Sequence, residues 1–421
     1  MKFIATPVKG MNDFLPADMR LREYTLSMIK ETYASYGFAQ IETPAMEHIE
    51  NLTSNQGGEN EKLIFKVMKR GADLARALEK ENGELADNGL RYDLTVPLSR
   101  YYANNSNNLP SPFKALQIGN VWRADKPQKG RFRQFTQCDI DILGDESILA
   151  EIELIAATSN VLYKILSQVN IKDFTVHIND RRILKAMTLY AGFPEDSQDV
   201  VYIILDKLDK IGIEGVKEAL VKEGFAQEAV DKYAAIFDKF TQGVGCEEFC
   251  DFLKQDFINE NVVKDIDTII SCVKTMTEAG VKLVFDPTLV RGMSYYTGTI
   301  FEITLDNYNF SVAGGGRYDE MIGKFSNQKV CACGFSIGFE RIITILKDFE
   351  AEKLIDNKNK KAFLIDKKAT PATMTGVFEK AAALRKEGWT VTVQPLKKNA
   401  KFQVEKLEAD GYSDIEKVFE K

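Results

Sequence analysis

The stretch QIGNVWRADKPQKGRFRQFTQCDIDILG, residues 117–144, predicts two antiparallel strands joined by a basic loop, and this hairpin decides the fold. Between Arg123 and Arg133 the loop holds five basic residues and one acid. Pro127 and Gly130 indicate the turn between the strands. A loop of this composition is suited to contact phosphate groups.

The return strand of this hairpin carries alternating polar residues. Gln137, Asp139 and Asp141 are spaced two apart, so their side chains project from one face of the strand. They could line a pocket beside Arg123. From composition alone, a charged hairpin that is simply solvated explains the pattern equally well.

Two further segments carry groups suited to a small polar ligand. In LRYDLTVPLSRYY, residues 90–102, Asp93 and Thr95 would share one side of a strand and could hold an ammonium group, although such a strand often only faces water. In FDPTLVRGMSYYTGTIFEI, residues 285–303, Arg291 can bind a carboxylate or phosphate bidentately. The hydroxyls of Tyr295 and Tyr296 can bond a polar group, and packing in the core is the alternative for this pair.

Glycine-rich strands follow in AGGGRYDEMIGKF, residues 313–325, and CGFSIGFERI, residues 333–342. The glycines at 314–316 allow another group to approach the backbone closely. Gly338, Glu340 and Arg341 place an arginine at the start of a helix packed on the sheet. Glycines alone do not identify a nucleotide site, and the sequence contains no P-loop, dinucleotide fingerprint or Ser/His/Asp constellation.

Composition excludes several classes of protein. A chain of 421 residues predicts two or three domains, and 44% hydrophobic with 28% charged residues is typical of a globular protein. No apolar run approaches the roughly 20 residues that cross a membrane, and the first residues lack the features of a signal peptide, so we expect a cytoplasmic protein without a membrane partner. A net charge of −7 gives no global attraction for a polyanion, so any nucleic-acid contact must use local basic patches.

The six cysteines do not form a disulfide framework and favour reduced thiols. Cys246 with Cys250, and Cys331 with Cys333, differ in spacing from the usual zinc patterns, and neither histidine stands beside them in the sequence. The motifs therefore predict no metal site built from protein ligands.

The order of patterns predicts an α+β protein. We expect a helix over 18–36 capped by Asp18, a strand over 38–43, and alternating strands over 90–175 that close with a helix at 146–168. A helical region follows over 181–257, glycine-rich strands over 281–345, and a polar linker over 354–361. A small βαβ pattern over 362–393 and a charged helix complete the prediction.

Taken together and in this order, these motifs resemble the histidyl-tRNA synthetase family over residues 1 to about 350. The resemblance rests on KGMNDFLP at 9–16, the class II motif 1 region ending in IETPAME, motif 2 with WRADKPQKGRFRQFTQCDID, the segment VRGMSYYTG, and motif 3 as GFSIGFERI. It implies a class II catalytic domain with an antiparallel sheet over 1–180 and 258–352. A helical insertion domain would occupy 181–257, and a shortened α/β domain like the family's anticodon-binding domain would occupy 361–421.

The resemblance also implies roles for individual residues. Asp93, Leu94 and Thr95 would surround the amino group of histidine, and Arg123 would bind the α-phosphate of ATP. Arg291 would reach the α-phosphate and the histidine carboxylate. The remaining assignments are Gln137 and Asp141 in the amino-acid pocket with Asp141 directed to the imidazole, Tyr295 and Tyr296 beside the imidazole, Tyr318 closing the pocket, Arg341 on the γ-phosphate, and Gln128, Lys129 and Arg131 at the tRNA acceptor end.

The family resemblance implies ATP with Mg²⁺, histidine and tRNA(His) as ligands, and a homodimer built through motif 1. Two departures stand out: Ser294 replaces the family's usual Asp, and only about 60 residues follow the linker. One alternative is the catalytically silent paralogue that acts as a regulatory subunit in histidine biosynthesis. Another is a class II ligase for a different amino acid, which would need other residues where Asp141, Tyr295 and Tyr296 stand.

Overall fold

The computed structural model describes residues 3–420 except 54–59, 81–82, 129, 241–244, 254–257, 293–294, 309, 327 and 352–358. The chain divides into two compact units, Met1–Phe349 and Glu350–Lys421. Among the described residues, no helix is both long enough and apolar enough to cross a membrane.

The first unit contains strands and helices that alternate along the chain. Its strands are β1 (Ala39–Ile41), β2 (Met46–His48), β3 (Lys66–Met68), β4 (Ala86–Leu90), β5 (Phe113–Trp122), β6 (Gln134–Leu143), β7 (Phe174–Asp180), β8 (Val281–Phe285), β9 (Thr299–Thr304), β10 (Ser311–Arg317) and β11 (Ala332–Gly338). Its helices are α1 (Pro16–Ser35), α2 (Ile49–Thr53), α3 (Gly71–Leu78), α4 (Thr95–Asn105), α5 (Leu149–Leu166), α6 (Arg181–Ala191), α7 (Gln198–Leu205), α8 (Leu208–Lys222), α9 (Gln227–Phe240), α10 (Cys246–Leu253), α11 (Glu260–Met276) and α12 (Phe339–Asp348).

An eight-stranded sheet in the order β1-β5-β6-β11-β10-β9-β7-β8 forms the frame of this unit. Its five inner pairings, from β5 to β7, are antiparallel, and the outermost strand at each edge pairs in parallel with its neighbour. The predicted hairpin is confirmed as β5 and β6. A separate antiparallel sheet has the order β2-β4-β3. The predicted α+β class, with a mostly antiparallel sheet, is confirmed.

Helix α1 begins two residues earlier than predicted. Its N-cap is Leu15, and Asp18 lies in the first turn, where its carboxylate accepts the Leu15 amide at 3.3 Å. The prediction of Asp18 as the cap was therefore wrong, because Pro16 at the first helical position already starts the helix. Gly37, with φ of +82°, follows the C-cap residue Tyr36 and allows the chain to leave the helix.

The helical region extends beyond its predicted end at residue 257. Helix α11 continues the helical region to Met276. The Asn259 side chain caps this helix by accepting a hydrogen bond from the Asn261 amide at 3.0 Å. Val262 and Ile266 are buried at helical spacing. An N-cap asparagine before apolar residues at this spacing was the signal that the prediction missed. The proposed domain boundaries themselves stay a prediction.

The second unit is a three-layer α/β fold. It contains β12 (Lys360–Ile365), α13 (Pro371–Lys386), β13 (Thr390–Pro395), α14 (Ala400–Ala409) and β14 (Asp414–Val418), with a parallel sheet in the order β13-β12-β14. Phe363 packs with Val377 of α13, whereas Leu364 packs with Leu407 of α14. Strand β14 was missed because the sequence DIEKV carries three charges in five residues.

Candidate active site

The strand registers place one row of residues on a single face of the large sheet. Residues directly opposite each other in neighbouring strands share a face. Across the sheet, Gln117 pairs with Asp139, and Asp139 pairs with Ser336 on its other side. Ser336 in turn pairs with Gly314, and Gly314 with Glu302. We call this face the site face. Five adjacent strands form it, in the order β5, β6, β11, β10 and β9.

Gln137 and Asp141 lie on the same site face, two residues to either side of Asp139 on β6. All three are more than nine-tenths buried. The prediction that these side chains project from one face of the strand is thus confirmed, and the pocket beside them stays a prediction. The alternative of a solvated hairpin is wrong for the return strand.

Asp141 and Tyr318 form a buried pair on the site face. The Tyr318 hydroxyl donates to the Asp141 Oδ1 at 2.6 Å. Burial raises the pKa of Asp141 to about 7, with Tyr318 opposing this rise and Asp93 adding to it. A Cβ on Gly334 would lie 2.0 Å from Asp141 Oδ1, so the carboxylate fits only over a glycine.

Gln137, Ser336 and Asp139 form a short hydrogen-bond chain. Gln137 Nε2 donates to Ser336 Oγ at 3.0 Å, and Ser336 Oγ donates to Asp139 Oδ1. Among the described residues, the other Asp139 oxygen has a single long contact of 3.5 Å, from Gln137 Nε2. Burial, followed by the charge of Asp141, raises the pKa of Asp139 well above its ordinary value.

Asp93 and Thr95 do not lie on a strand, and that prediction was wrong. Strand β4 ends at Leu90, and Thr95 is the first residue of helix α4. The Asp93 carboxylate instead accepts the Val96 amide at 3.1 Å, near the start of the helix. Leu94 is buried, and its carbonyl accepts Gln117 Nε2 at 3.1 Å, which ties this helix start to the site face.

The sequence did contain a signal for this helix. An aspartate followed within four residues by a proline is typical of a helix start, since the carboxylate can bond free amides and proline lacks one. Here Asp93 and Pro97 occupy those places. The side chains of Asp93 and Thr95 are both at least nine-tenths buried, so they remain next to the enclosed part of the site.

Tyr295 and Tyr296 lie in the segment before β9, not on a strand as predicted. Their ring centroids are 4.8 Å apart, and Tyr295 lies edge-on to Tyr318 at 5.9 Å. Burial raises the pKa of each of the three hydroxyls, so all three are neutral donors at physiological pH. The three rings form an aromatic cluster over the site. Ser294 lies outside the described residues.

Arg291 lies against the floor of the site face. A Cβ on Gly314 would lie 2.4 Å from the Arg291 Cζ atom, so the guanidinium occupies the space that glycine leaves. The guanidinium is paired with the Glu302 carboxylate through Nη1. Burial alone would lower the pKa of Arg291, but the charge of Glu302 raises it above its ordinary value. Among the described residues, the buried Arg291 Nε has no hydrogen-bond partner.

Arg123 and Arg341 are held by different elements. Arg123 Nε donates to the Tyr92 carbonyl at 3.0 Å, and its guanidinium stacks 4.2 Å from the Tyr92 ring centroid. Arg341 Nη1 donates to the Ser311 carbonyl at 2.5 Å. Burial lowers the pKa of Arg341, and the charges of Arg131, Arg291 and Arg123 lower it further, with Glu302 opposing.

The charges of Arg123, Arg131 and Arg291 thus all act on Arg341, and we call these four residues the arginine cluster. Like charges this close are stabilised when an anion enters between them. The assignment of Arg123, Arg291 and Arg341 to the phosphates of ATP stays a prediction.

The helix that carries Arg341 is anchored by a buried ion pair. The Nη1 and Nη2 atoms of Arg22, on α1, donate to the Glu340 carboxylate at 2.7 and 2.8 Å. Arg22 also donates to Thr136 Oγ1 at 3.0 Å, and the Thr136 amide donates to Glu340 at 3.2 Å. This network joins α1, β6 and α12, which carry the three class II motif regions identified in the sequence.

The tip of the basic loop forms its own tight turn. Gln128 and Arg131 exchange two backbone hydrogen bonds of 3.1 and 2.9 Å, and Gly130 has φ of +74°. Arg131 is half-exposed, and it lies 3.5 Å from Asp125. Lys129 lies outside the described residues.

Sequence reasoning missed Glu302 and Ser336. Glu302 was detectable as a single acid within the apolar strand TIFEITL, because a charge in such a strand needs a buried partner. Ser336 carried no comparable signal. Its contact with Asp139 depends on the pairing of β6 with β11, strands separated by almost 200 residues.

Comparison with known proteins gives one consistent result. The family model described as histidyl-tRNA synthetase matches residues 10–342. A histidine–tRNA ligase of Leifsonia xyli subsp. xyli is 45% identical over 81% of this chain and 80% of its own length. A probable histidine–tRNA ligase of Tropheryma whipplei is 40% identical over 96% of this chain and 94% of its own length.

Two solved structures share the fold. A histidyl-tRNA synthetase from Nostoc sp. PCC 7120 superposes with a TM-score of 0.74 at 29% identity, covering 97% of this chain and 90% of its own. A Bacillus halodurans structure, titled as an ATP phosphoribosyltransferase regulatory subunit/histidyl-tRNA synthetase, has a TM-score of 0.76 at 20% identity, with both chains fully covered. At that identity the second likeness concerns the fold alone.

Proposed function

The chain belongs to the histidyl-tRNA synthetase family, and we propose on that basis that it activates histidine with ATP and transfers it to tRNA(His). The histidine carboxylate attacks the α-phosphorus of ATP, histidyl-adenylate forms, and pyrophosphate leaves. A hydroxyl at the 3′ end of the tRNA then attacks the carbonyl carbon, and AMP leaves. The observation that carries this proposal is the buried Asp141–Tyr318 pair on the same sheet face as the arginine cluster.

The Asp141–Tyr318 pair suits an imidazole. A carboxyl group accepts or shares a proton with one ring nitrogen, while a neutral tyrosine hydroxyl bonds the other. Tyr295 and Tyr296 border the ring with aromatic surface. An isosteric side chain without ring nitrogens would leave these buried groups unpaired, which is how such a pocket rejects other amino acids. The polar tyrosines and Asp141 therefore favour histidine over another class II substrate.

The amino end of histidine fits the neighbouring groups. Asp93, Leu94 and Thr95, at the start of α4, meet the site face through the Leu94–Gln117 hydrogen bond. We assign Asp93 and Thr95 to the amino group, with Leu94 forming the wall between them. Gln137 lies on the same face. This arrangement directs the histidine carboxylate toward the arginines.

The arginines are assigned to the phosphates. Arg123 and Arg291 meet the α-phosphate, with Arg291 also contacting the histidine carboxylate, and Arg341 meets the γ-phosphate. Attack in line needs the two reacting groups held in place and cations aimed at the developing charge, and no covalent nucleophile is required. Arg291 is suited to two anions at once because Gly314 lets its guanidinium lie flat on the sheet and its Nε still lacks an acceptor among the described residues.

Mg²⁺ enters this proposal with the nucleotide. The described residues contain no cluster of three or more His, Cys, Asp or Glu side chains able to hold a metal. Mg²⁺ commonly binds through substrate phosphates and water, with few protein carboxylates. We propose that the metal is carried on the ATP phosphates, and we assign it no protein ligand.

The tip of the basic loop is assigned to the tRNA acceptor end through Gln128, Lys129 and Arg131. Arg131 is half-exposed and belongs to the arginine cluster, so it can link the phosphate site to a nucleic acid outside. We also propose a homodimer in the cytoplasm. Large apolar side chains of helix α1 and of the segment before it are exposed, among them Phe3, Ile4 and Leu15. Exposed apolar surface of this kind favours a protein partner.

The regulatory-subunit alternative is less supported. The relatives that are 36–45% identical carry the ligase name, whereas the structure whose title includes a regulatory subunit is 20% identical. A protein without catalysis also has no evident use for three arginine charges close enough to act on a fourth, Arg341.

The test is ATP/pyrophosphate exchange with each amino acid in turn. We expect exchange with histidine alone and a loss of about 100- to 1000-fold in Arg291→Ala, the range for removing a group that stabilises transition-state charge. Arg76→Ala, at an exposed arginine on α3, is the matched control and should keep full activity. Exchange with another amino acid, or none at all from folded protein, would contradict the proposal.

A further inference from the structure

His177, a residue without a role in the proposed reaction, connects strand β7 to the turn that leads to Arg291. It lies on the site face, because it pairs with Glu302 of β9. Its Nδ1 atom lies 2.9 Å from the Asp286 Oδ2 atom, and its Nε2 atom lies 2.9 Å from the Thr304 hydroxyl. Asp286 directly follows β8. The imidazole therefore links three neighbouring strands of the large sheet.

The carboxylate fixes the proton in the contact between His177 and Asp286. Burial alone would raise the pKa of Asp286, but the hydrogen bonds from His177 and Thr288 hold it below its ordinary value. Asp286 is therefore ionised at physiological pH, and His177 must carry a proton on Nδ1 in order to donate to it. Because the acceptor is charged, this bond is stronger than one between neutral groups.

Asp286 in turn organises the backbone before Arg291. Its Oδ1 atom accepts the Thr288 amide at 2.9 Å and the Thr288 hydroxyl at 2.6 Å. Its carbonyl accepts the Leu289 amide at 3.0 Å. The Leu289 carbonyl accepts Nδ2 of Asn179, a buried residue of β7, also at 3.0 Å. Two side chains of β7, the imidazole and this amide, thus hold the turn at its two ends.

This turn is the nearest anchor of the Arg291 backbone. Only Val290 separates Leu289 from Arg291, and Val290 makes no backbone hydrogen bond to the described residues. The Arg291 guanidinium lies on Gly314 and pairs with Glu302. A shift of the turn would therefore move the guanidinium relative to a bound substrate. A misplacement of about 1 Å costs about 100-fold in rate when a group positions reacting atoms.

We propose that His177 is a positioning residue: by holding Asp286, it sets the place of the turn 286–289 and through it the place of the Arg291 guanidinium. The proposal rests on the function proposed above, because it gives His177 a part in the step that Arg291 serves. His177 itself does not touch a substrate in this role. It should therefore affect the rate of adenylate formation more than the KM for histidine or ATP.

Two variants of the full-length protein separate the two nitrogens of the imidazole. Asparagine places an amide N–H near the position of Nδ1, whereas glutamine places it near the position of Nε2. We expect His177→Asn to keep the kcat of histidine-dependent ATP/pyrophosphate exchange within about 3-fold of wild type, and His177→Gln to lower it about 10-fold, the effect of a shift smaller than about 1 Å. The KM for histidine and for ATP should each change by less than about 3-fold in both variants. Thr175→Val, on the same strand and face, is the matched control and should keep full activity.

The same measurement in the Arg291→Ala background shows whether the effect passes through that arginine. There His177→Gln should cost less than about 2-fold, because the guanidinium that it displaces is absent. Equal losses in the two backgrounds would mean that His177 only supports the fold, and this would overturn the inference. Equal losses in His177→Asn and His177→Gln, or no loss in His177→Gln, would overturn it too.

His177→Ala takes the place of the glutamine variant if that variant does not fold, with the same expectations. The His177 side chain is 26% exposed, so its truncation is tolerated more easily than one in the core. Wild-type exchange with histidine tests the proposed function without any change at His177. Failure of the proposed function and failure of this inference are therefore distinguishable.

Discussion

Gly314→Ala tests the arrangement of the arginines without touching a charged residue. The added Cβ would lie 2.4 Å from Arg291 Cζ and 2.5 Å from each of its Nη atoms. Atoms in contact need about 3.5 Å, so the guanidinium must retreat by about 1 Å. A misplacement of this size costs about 100-fold in rate when a group positions reacting atoms. We expect that loss in histidine-dependent ATP/pyrophosphate exchange.

The fold should survive this change. The clash involves the far end of a long side chain and not the backbone, so the arginine can move while the strand stays in place. We expect the free energy of unfolding to fall by less than the roughly 1–3 kcal/mol typical of an overpacked core. Urea denaturation of both proteins measures this. Gly376→Ala on α13, where an added Cβ meets nothing within 4 Å, is the control and should be slightly stabilised.

A double-mutant cycle decides whether Arg291 transmits the effect. Added to Arg291→Ala, Gly314→Ala should cost little further activity, because the side chain it displaces is already gone. Additive losses would refute the reasoning, since they would mean that Gly314 acts through some other contact. Full exchange activity in the single Gly314→Ala variant would refute it as well.

Three further predictions concern buried charges. The pKa of Asp141 is about 7 in the folded protein against 3.8 in the unfolded chain, so this group favours the folded state at low pH. That stability is lost as the pH rises toward and through 7, by about 2 kcal/mol between pH 5.5 and 8. Asp141→Asn should remove that part of the pH dependence in urea denaturation, and Asp306→Asn should not. Tyr318→Phe should raise the KM for histidine about 10-fold or more and leave the KM for ATP unchanged; parallel rises in both would contradict a role at the imidazole. Arg22→Met should lower the free energy of unfolding by about 3–5 kcal/mol, because it leaves the buried Glu340 carboxylate without its partner. The double variant Arg22→Met with Glu340→Leu should recover much of this loss. No recovery in the double variant would show that the charges of the pair are not the cause.

The local chemistry of the site could be predicted from short patterns. The hairpin at 117–144 and the alternation of Gln137 and Asp141 needed only strand periodicity and turn residues, and both are observed. The start of the helix after Gly338 was likewise local. The prediction from local pattern was wrong at Asp93 and Thr95, where the start of a helix was interpreted as a strand. The segment contains the two signals of a helix start, Asp93 and Pro97.

Long-range placement could not be predicted in the same way. The contact of Ser336 with Asp139, and of Arg291 with Gly314, joins strands or segments far apart in the chain. Their geometry follows from register across the sheet, which many neighbouring strands fix together.

The sequence alone determined the class of fold, the polar face of the central hairpin and the identity of the groups able to bind an amino acid and a nucleotide. These follow from side-chain alternation and residue chemistry, which act over a few residues. Only the tertiary structure decided that Arg291 lies on Gly314 and pairs with Glu302, and that Asp139 contacts Ser336 and Gln137. The physical reason is that burial and strand register, set by the whole sheet, decide which of these groups already have partners and which await a ligand.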